Sequence, residues 1–334
     1  MANITFSEAS GVNDSIFGKS QAPIRMMIMK RGEAFEAESV AEKIFVKRKS
    51  DHWAEKYGSM TAMDGFQVVG ENGAHPSDGM EEGYSKTIEA VEWKNSFSIS
   101  QTIIEDSKIG DLRKKPAAFV TAYYRTREKL AAALLGGAIQ GNSTASFAGG
   151  TFDLTGADGQ NLFYSAHPAK VKGATQCNLF SDAFSEDALG MLEVIMQNTR
   201  GDNDEILDVA PDTIIIPNIH SLKKSVFSAI GAEQDPSTAN NGFNYQFGRW
   251  NVIVWPYLNQ YIASGTAPWL LMDSRYNKEY DGLIWQDRID LTVKSSIDEN
   301  TDANVWRGRA RFTAGFNNWR AIACAGVSGA TALS

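Results

Sequence analysis

The feature that most constrains this chain is a long, glycine-rich connection between two strand-like segments. It runs from His52 to Lys86, contains Pro76, and separates "EKIFVKRKS" from "TIEAVEWKNSFSISQ". A connection of this length counts against a compact domain unless the loop has a task of its own. A hairpin that reaches out of its own subunit has such a task, so we predict an extended loop here.

Large apolar side chains occur in this connection, where no core is available to bury them. Aromatic residues and methionine are enriched at protein interfaces. We therefore interpret five of them as contacts between subunits: Trp53, Tyr57, Met60, Met63 and Phe66.

A long helix is predicted from "DLRKKPAAFVTAYYRTREKLAAALLGGAI". Its large apolar residues recur at helical spacing along one face. We expect Asp111 or a neighbour to cap it, Pro116 to lie in its first turn, and Gly136–Gly137 to end it. It would span about 20 residues, roughly 30 Å.

The segments that follow alternate between helix and strand. A helix is expected after Ser185, then a buried strand in "DTIIIPN" and a helix in "IHSLKKSVFSAI". Val252–Trp255 and Trp269–Met272 are predicted to be two buried strands that form a pair. This alternation indicates an α/β lobe whose core contains the tryptophans.

The C-terminal segments predict strands with one charged face. Arg307, Arg309 and Arg311 alternate with Trp306, Ala310 and Phe312. Three like charges on one strand face require partners, and carboxylates across an interface would supply them. The basic run Arg113, Lys114 and Lys115 is a further candidate contact with a neighbouring subunit. "DENTD", Asp298 to Asp302, is interpreted as a solvated hairpin tip rather than a calcium loop.

Composition excludes several classes of protein. The net charge of −8 argues against a protein that grips nucleic acid, although not against one that encloses it. No apolar run is long enough to cross a bilayer, and no signal peptide is evident. Cys177 and Cys324 are far apart and predict small buried residues in a reduced compartment.

The motifs of common chemistries are missing from the sequence. Its four histidines, His52, His75, His167 and His220, show no metal-binding spacing and are interpreted as loop or surface residues. There is no phosphate loop, dinucleotide-binding fingerprint or nucleophile elbow. We therefore expect no metal, cofactor or catalytic residue.

One enzymatic hypothesis stays open at this point. In "YSAHP", His167 could activate Ser165, or alternatively Cys177. Nothing in the local sequence orients the imidazole, so a polar turn before Pro168 is the favoured interpretation.

The order of segments resembles the major capsid protein of tailed bacteriophages, an α+β protein of the HK97-like fold, and in particular the Mu-like head subunit. The resemblance covers most of the chain and lies in "ISQTIIED", "LFYSAHPAKVKGATQCNLFS", "LDVAPDTIIIPNIHSLKKSVFSA", "NVIVWPYL", "APWLLMDS" and "VWRGRARFTAGFNNWRAIACAG".

The resemblance implies a layout of five segments. They are an N-terminal arm (1–40), an extended loop hairpin (41–100), a peripheral domain with a long spine helix (101–186), an axial domain (187–284), and peripheral strands with the C-terminus (285–334).

The resemblance also implies a function and partners. Copies would self-assemble as hexamers and pentamers into an icosahedral-type phage head, located in the virion, that encloses double-stranded DNA. A scaffolding protein, a portal and a decoration protein would be partners; the scaffold would be separate, unless this sequence is a mature form. The alternative within the same fold is the shell of an encapsulin-like bacterial nanocompartment.

Overall fold

The computed structural model describes residues 5–8, 30–35, 38–60, 68–71, 73–75, 82–100, 102, 109–231 and 244–333. Its helices include α1 (Ala41–Ile44), α2 (Ile109–Ile139), α3 (Glu186–Gln197), α4 (His220–Ile230) and α5 (Ser274–Glu279). The strands of the first half are β1 (Thr5–Glu8), β2 (Val46–Lys49), β3 (Ala54–Met60), β4 (Glu82–Glu89), β5 (Val91–Ile99), β6 (Thr144–Phe147) and β7 (Gly150–Asp153). Those of the second half are β8 (Thr213–Pro217), β9 (Asn251–Trp255), β10 (Trp269–Met272), β11 (Leu283–Ile297), β12 (Asn304–Phe316) and β13 (Ile322–Ala325).

The larger sheet is built around the long antiparallel hairpin of β11 and β12. Its strand order is β1-β11-β12-β5, and β2 also pairs with β11. The predicted alternation in β12 is confirmed, because Trp306, Ala310 and Phe312 are buried while Arg307 and Arg309 are exposed. One face of the sheet therefore enters the core, and the other is left for charged side chains.

Helix α2 packs on the buried face of this sheet through aromatic side chains. Phe119 lies against Phe97 with ring centroids 5.2 Å apart, and Tyr123 meets Phe312 edge-on at 5.9 Å. Trp93 stacks on Phe312 at 5.0 Å. Such ring pairs add to the burial of apolar area that joins helix and sheet.

The bounds predicted for α2 were wrong at both ends. The helix has 31 residues and begins at Ile109, so Asp111 lies inside it and Pro116 is beyond the first turn. Gly136 and Gly137 continue the helix instead of ending it. A Cβ on Gly136 would lie 2.5 Å from Tyr261 Cβ, and one on Gly137 would lie 2.8 Å from Leu154 Cδ1. These glycines therefore allow close packing against neighbours, a role that sequence alone does not distinguish from a stop signal.

A buried ion pair joins α2 to β11. Arg127 Nη1 donates to Asp287 Oδ1 at 2.8 Å and its Nη2 donates to Oδ2 at 3.1 Å. The guanidinium carbon of Arg127 lies 4.6 Å from the ring centroid of Trp285, whose Nε1 also donates to Asp287. Burial alone would raise the pKa of the Asp287 carboxyl, but the charge and hydrogen bonds of Arg127 outweigh it and hold that pKa below its ordinary value.

The smaller sheet forms the core of the second lobe, and its order is β13-β10-β8-β9. The predicted strands of "DTIIIPN", "NVIVW" and "WLLM" are confirmed, but the expected pairing of β9 with β10 is wrong. β8 lies between them, parallel to β9 and antiparallel to β10. Strand β8 is buried at every residue, as expected for an inner strand of a sheet that is covered on both faces. Trp255 and Trp269 are fully buried, as expected for core residues.

The helices of this lobe begin and end near the predicted positions. Ser185 caps α3 by accepting a hydrogen bond from the backbone N–H of Ala188, as its position in the sequence indicates. Helix α4 follows β8 directly, as predicted. In the part of the chain that the structure describes, no helix has the length and apolar character needed to cross a membrane.

Removing Arg127 should destabilise the chain far more than removing a neighbouring arginine. Arg127→Ala leaves the Asp287 carboxylate buried without its partner, and we expect a loss of about 3–5 kcal/mol in the free energy of unfolding. The matched control is Arg125→Ala on the exposed side of the same helix, with an expected change within about 0.5 kcal/mol. Urea unfolding followed by circular dichroism measures both. Equal effects of the two substitutions would show that the pair does not stabilise the fold.

Asp287 should also make stability depend on pH at the acidic end. Its folded-state pKa is lowered, so the unfolded chain takes up a proton first as the pH falls through about 4. The contribution of Asp287 is therefore present above that pH and is lost below it. We expect Asp287→Asn to be less stable than the wild type at pH 7 and to lose less stability between pH 5 and pH 3. Unfolding midpoints across this range test the prediction, which parallel curves for the two proteins would refute.

Candidate interaction surfaces

The outer face of the larger sheet carries a cluster of positive charge. Arg307 and Arg309 are exposed there, whereas Arg311 is half-buried and donates from Nη2 to the backbone oxygen of Ala90 at 3.3 Å. The Nε of Arg311 is buried without a hydrogen-bond partner. The predicted separation of arginines from aromatics is thus confirmed, but the three arginines are not equivalent.

Two lysines on the neighbouring strands complete this cluster, and sequence reasoning missed both. Lys94 of β5 lies directly opposite Arg309, and Lys294 of β11 lies directly opposite Arg307. Like charges in direct cross-strand pairs destabilise a sheet. The alternation of polar and apolar residues in β5 and β11 indicates that both lysines are exposed. Only the pairing register of β12 with these strands shows that they lie beside Arg307 and Arg309.

One carboxylate partly neutralises the cluster. Glu92 accepts hydrogen bonds from Arg309 Nε and lies 3.1 Å from Lys94 Nζ. The hydrogen bonds from Arg309 and then Lys94 lower the pKa of Glu92, so it stays ionised. We call Lys94, Lys294, Arg307 and Arg309, with Glu92 between two of them, the basic cluster.

The basic cluster borders a groove with a volume of about 700 Å³. None of the described lining residues is acidic: Lys94, Asn95, Ser96, Thr292, Lys294, Arg307, Gly308 and Arg309. Every side chain that lines the groove, apart from Gly308, can donate a hydrogen bond. The groove is therefore suited to an anionic group.

Within the segment predicted to be an extended loop, β3 and β4 pair with each other as a two-stranded sheet of their own. Trp53 precedes it and is 62% exposed, while Tyr57 within it is half-buried. Burial, followed by the nearby carboxylates of Asp281 and Glu55, raises the pKa of Tyr57 to about 12. Tyr57 therefore presents a neutral hydroxyl at physiological pH.

Two lysines hold β4 against the rest of the subunit: Lys86 from the middle of the strand, and Lys170 at the end that pairs with Met60, away from the base of the hairpin. Lys170 Nζ donates to the backbone oxygens of Glu82 and Gly83, each at 2.6 Å. Lys86 Nζ forms an ion pair with Asp153 and donates to Thr155 Oγ1 at 2.7 Å. These contacts fix β4 against the rest of the subunit.

The remaining predicted contact residues are only partly described. Met60 belongs to β3 and Arg113 to α2, but their side chains lie outside the described residues. Met63 and Phe66 also lie outside them. Lys114 and Lys115 are exposed on α2, and Lys115 Nζ donates to the backbone oxygen of Ser98 at 2.8 Å.

His167 is fully buried, so its assignment to a loop or surface was wrong. Its Nδ1 lies 2.6 Å from Asp158 Oδ2 and its Nε2 lies 3.1 Å from Asn178 Oδ1. The ring stacks on Trp319 with centroids 4.1 Å apart. The amide of Asn178 is oriented by donating to two backbone oxygens, so both imidazole nitrogens face acceptors. His167 thus joins three segments of the core.

This arrangement excludes the enzymatic hypothesis for His167. The imidazole is oriented after all, but both of its nitrogens are occupied and solvent does not reach it. Ser165 is exposed. Cys177 contacts the backbone oxygen of Leu179 through its sulfur, and burial raises its pKa, which makes it a poor nucleophile. Cys324 is completely buried, and burial raises its pKa as well.

Metal-ligating side chains do not converge within the described residues. No group of three or more His, Cys, Asp or Glu side chains there could hold a metal ion.

Comparison with known proteins identifies the family. A family model described as phage capsid protein matches residues 83–325, most of the chain. The chain belongs to the phage capsid protein family. No curated protein sequence matches it.

Solved structures confirm the HK97-like α+β fold of this capsid protein. The capsid of Ralstonia phage GP4 matches with a TM-score of 0.56 at 11% identity, over 84% of this chain and 86% of that one. The structure named Mycobacterium phage Patience matches with a TM-score of 0.51 at 9% identity, over 100% of this chain and 95% of that one.

These findings settle the main functional alternatives. The protein is a structural major capsid protein of the phage virion and not an enzyme. The nanocompartment alternative is not favoured. The Mu-like assignment stays a prediction.

Substituting His167 should affect stability through its buried partners. His167→Ala removes the partner of Asp158 Oδ2 and one of the two donors to Asn178 Oδ1, and it opens space beside Trp319. We expect a loss of about 2–4 kcal/mol in the free energy of unfolding. Ser165→Ala, at an exposed position of the same segment, is the control, with a change within about 0.5 kcal/mol. Chemical denaturation measures both variants. If His167→Ala were as stable as the control, His167 would not stabilise the core through its buried partners.

Proposed function

We propose that copies of this capsid protein assemble as hexamers and pentamers into an icosahedral-type head around double-stranded DNA. The observation that carries the proposal is the β3–β4 hairpin, which forms a sheet separate from both larger sheets. Its strand β4 is held to the subunit through Lys86 and Lys170, and Trp53 beside it is largely exposed. An anchored hairpin with an exposed aromatic residue is suited to covering a neighbouring subunit.

Two groups of residues form the contacts between copies in this proposal. The apolar group belongs to the extended loop: Trp53, Tyr57, Met60, Met63 and Phe66. The basic group belongs to the start of α2 and to β12: Arg113, Lys114, Lys115, Arg307, Arg309 and Arg311. Carboxylates of a neighbouring copy would offset the charges of the second group.

The segment layout and the further partners belong to the same proposal. The arm (1–40), extended loop (41–100), axial domain (187–284) and peripheral parts (101–186 and 285–334) divide the subunit. A scaffolding protein, a portal and a decoration protein would act on the assembled shell. A net charge of −8 per copy supports a container that repels DNA and does not recognise its sequence.

Negative-stain microscopy of the purified protein, together with size-exclusion chromatography, tests self-assembly directly. Closed shells, sheets or rings of six subunits are the expected result. A monomer at every concentration would contradict assembly of this chain by itself.

Trp53→Ser should weaken assembly without unfolding the subunit, because the side chain is 62% exposed in the single copy. Truncation of a central interface tryptophan costs about 2 kcal/mol or more, which corresponds to roughly a 30-fold higher concentration for half-assembly. The control is Val171→Ser, an exposed apolar residue outside the proposed contacts. Light scattering against protein concentration measures both variants. Equal half-assembly concentrations for the two variants would remove Trp53 from the interface.

A further inference from the structure

The basic cluster and an acidic hairpin tip lie on the same sheet. β11 and β12 are joined by a turn that contains Asp298, Glu299 and Asp302 and no basic residue. The carboxylates of Glu299 and Asp302 are exposed and have no hydrogen bond or ion pair within the described residues. Asp298 instead orders the turn, accepting from the backbone of Asn300 and from Thr301 Oγ1.

The charges on this face are equal and opposite in its two parts. The tip carries three negative charges, while four cations and Glu92 leave the basic cluster with a net charge of three positive. Within one subunit the cluster does not pair with the tip: Lys94 and Arg309 pair with Glu92, and Arg307 donates to the Ser296 hydroxyl. The net charges of the tip and of the basic cluster are therefore available to pair with another molecule.

An uncharged row of side chains separates the tip from the cluster. Val305 of β12 pairs with Ser296 of β11 on one side and with Ser98 of β5 on the other. Lys294 lies two residues before Ser296 and Asp298 lies two residues after it, roughly 7 Å in each direction. The nearest positive and negative side chains thus lie at similar distances on opposite sides of this row, and Lys94 and Arg309 lie two residues farther out.

We propose that a second copy of this chain docks face to face on this sheet around a two-fold axis through the Ser98–Ser296–Val305 row. In a two-fold contact, each residue on the axis meets its own copy, so that position excludes charges and suits serine and valine. The same rotation places each acidic tip over the basic cluster of the partner. Both charge pairings form together, and the groove of about 700 Å³ receives the tip.

The two-fold contact accounts for a feature that is unfavourable in the single copy. The direct pairs Lys94 with Arg309 and Lys294 with Arg307 repel across the sheet, and Glu92 offsets only the first of them. Carboxylates from a partner tip would offset the second. The inference rests on the proposed self-assembly and names one of its contacts.

Two complementary variants test this contact. Lys294→Glu with Arg307→Glu makes the basic cluster net negative, and we name it the cluster variant. Glu299→Lys with Asn300→Lys and Asp302→Asn makes the tip net positive, and we name it the tip variant. Asparagine is chosen at position 302 because the residue has φ of 49°, which asparagine tolerates. All five positions are exposed, so circular dichroism should show that both variants fold.

Assembly is measured at low salt by sedimentation velocity and negative-stain microscopy. Each variant alone should need at least about tenfold more protein for half-assembly than the wild type, because it repels its own copies. An equimolar mixture should assemble like the wild type, since both pairings between unlike copies are attractive. Lys223→Glu with Lys224→Glu, which reverses two charges on α4, is the control and should assemble normally.

The outcomes distinguish failure of this contact from failure of self-assembly and from binding of a different molecule in the groove. If the wild type assembles and the tip variant assembles equally well, the tip is not the partner and the inference fails while self-assembly stands. Failure of the equimolar mixture to assemble also overturns the inference.

Fluorescence anisotropy with a 20-base-pair DNA duplex tests whether the groove instead binds the phosphates of DNA. If the wild type binds the duplex and the cluster variant does not, while both assemble alike, the groove binds phosphate and the inference is wrong.

Discussion

The buried pair of Arg127 and Asp287 is the interaction on which the rest of the subunit depends. It joins the middle of α2 to β11, and it extends to α1 and β2 through Glu42, 3.6 Å from Arg127, and Lys47, 3.7 Å from Asp287. Four elements from three distant regions of the chain therefore meet at one charged centre. A buried pair stabilises only when its geometry is nearly complete, so it also selects a single placement of the helix on the sheet.

The placement of α2 determines what the other face of the sheet can do. Because successive strand residues point to opposite faces, burial of Trp306 and Phe312 under the helix leaves Arg307 and Arg309 outside. The β5 and β11 registers then add Lys94 and Lys294 to the same surface. A monomer gains nothing from this concentration of like charge, whereas a shell protein that meets many copies of itself can use it. The β11–β12 hairpin thus forms the core on one side and, in the proposed contact, the binding surface on the other.

Local patterns and tertiary packing disagreed at a few residues, and each disagreement has a physical cause. Gly136 and Gly137 were interpreted as a helix end, but they lie where Tyr261 and Leu154 approach the helix too closely for a side chain. His167 was assigned to a loop or the surface because the histidines show no metal-binding spacing, whereas its actual partners, Asp158 and Asn178, follow no recognisable sequence pattern. Strands β9 and β10 are consecutive in sequence and yet lie on opposite sides of β8.

The sequence by itself determined the elements whose signal is local: the long helix, the alternating strands of the C-terminal hairpin, the Ser185 cap and the buried tryptophans. The order of these elements was enough to indicate the HK97-like fold, and the motifs missing from the sequence pointed to a structural protein. Tertiary structure alone decided which strands are neighbours, and therefore that four cations come together in the basic cluster with Glu92 paired to two of them. It also decided that His167 is buried and that Arg127 meets Asp287. Contacts of this kind join residues far apart in the chain, and their energy depends on distances that no local pattern encodes.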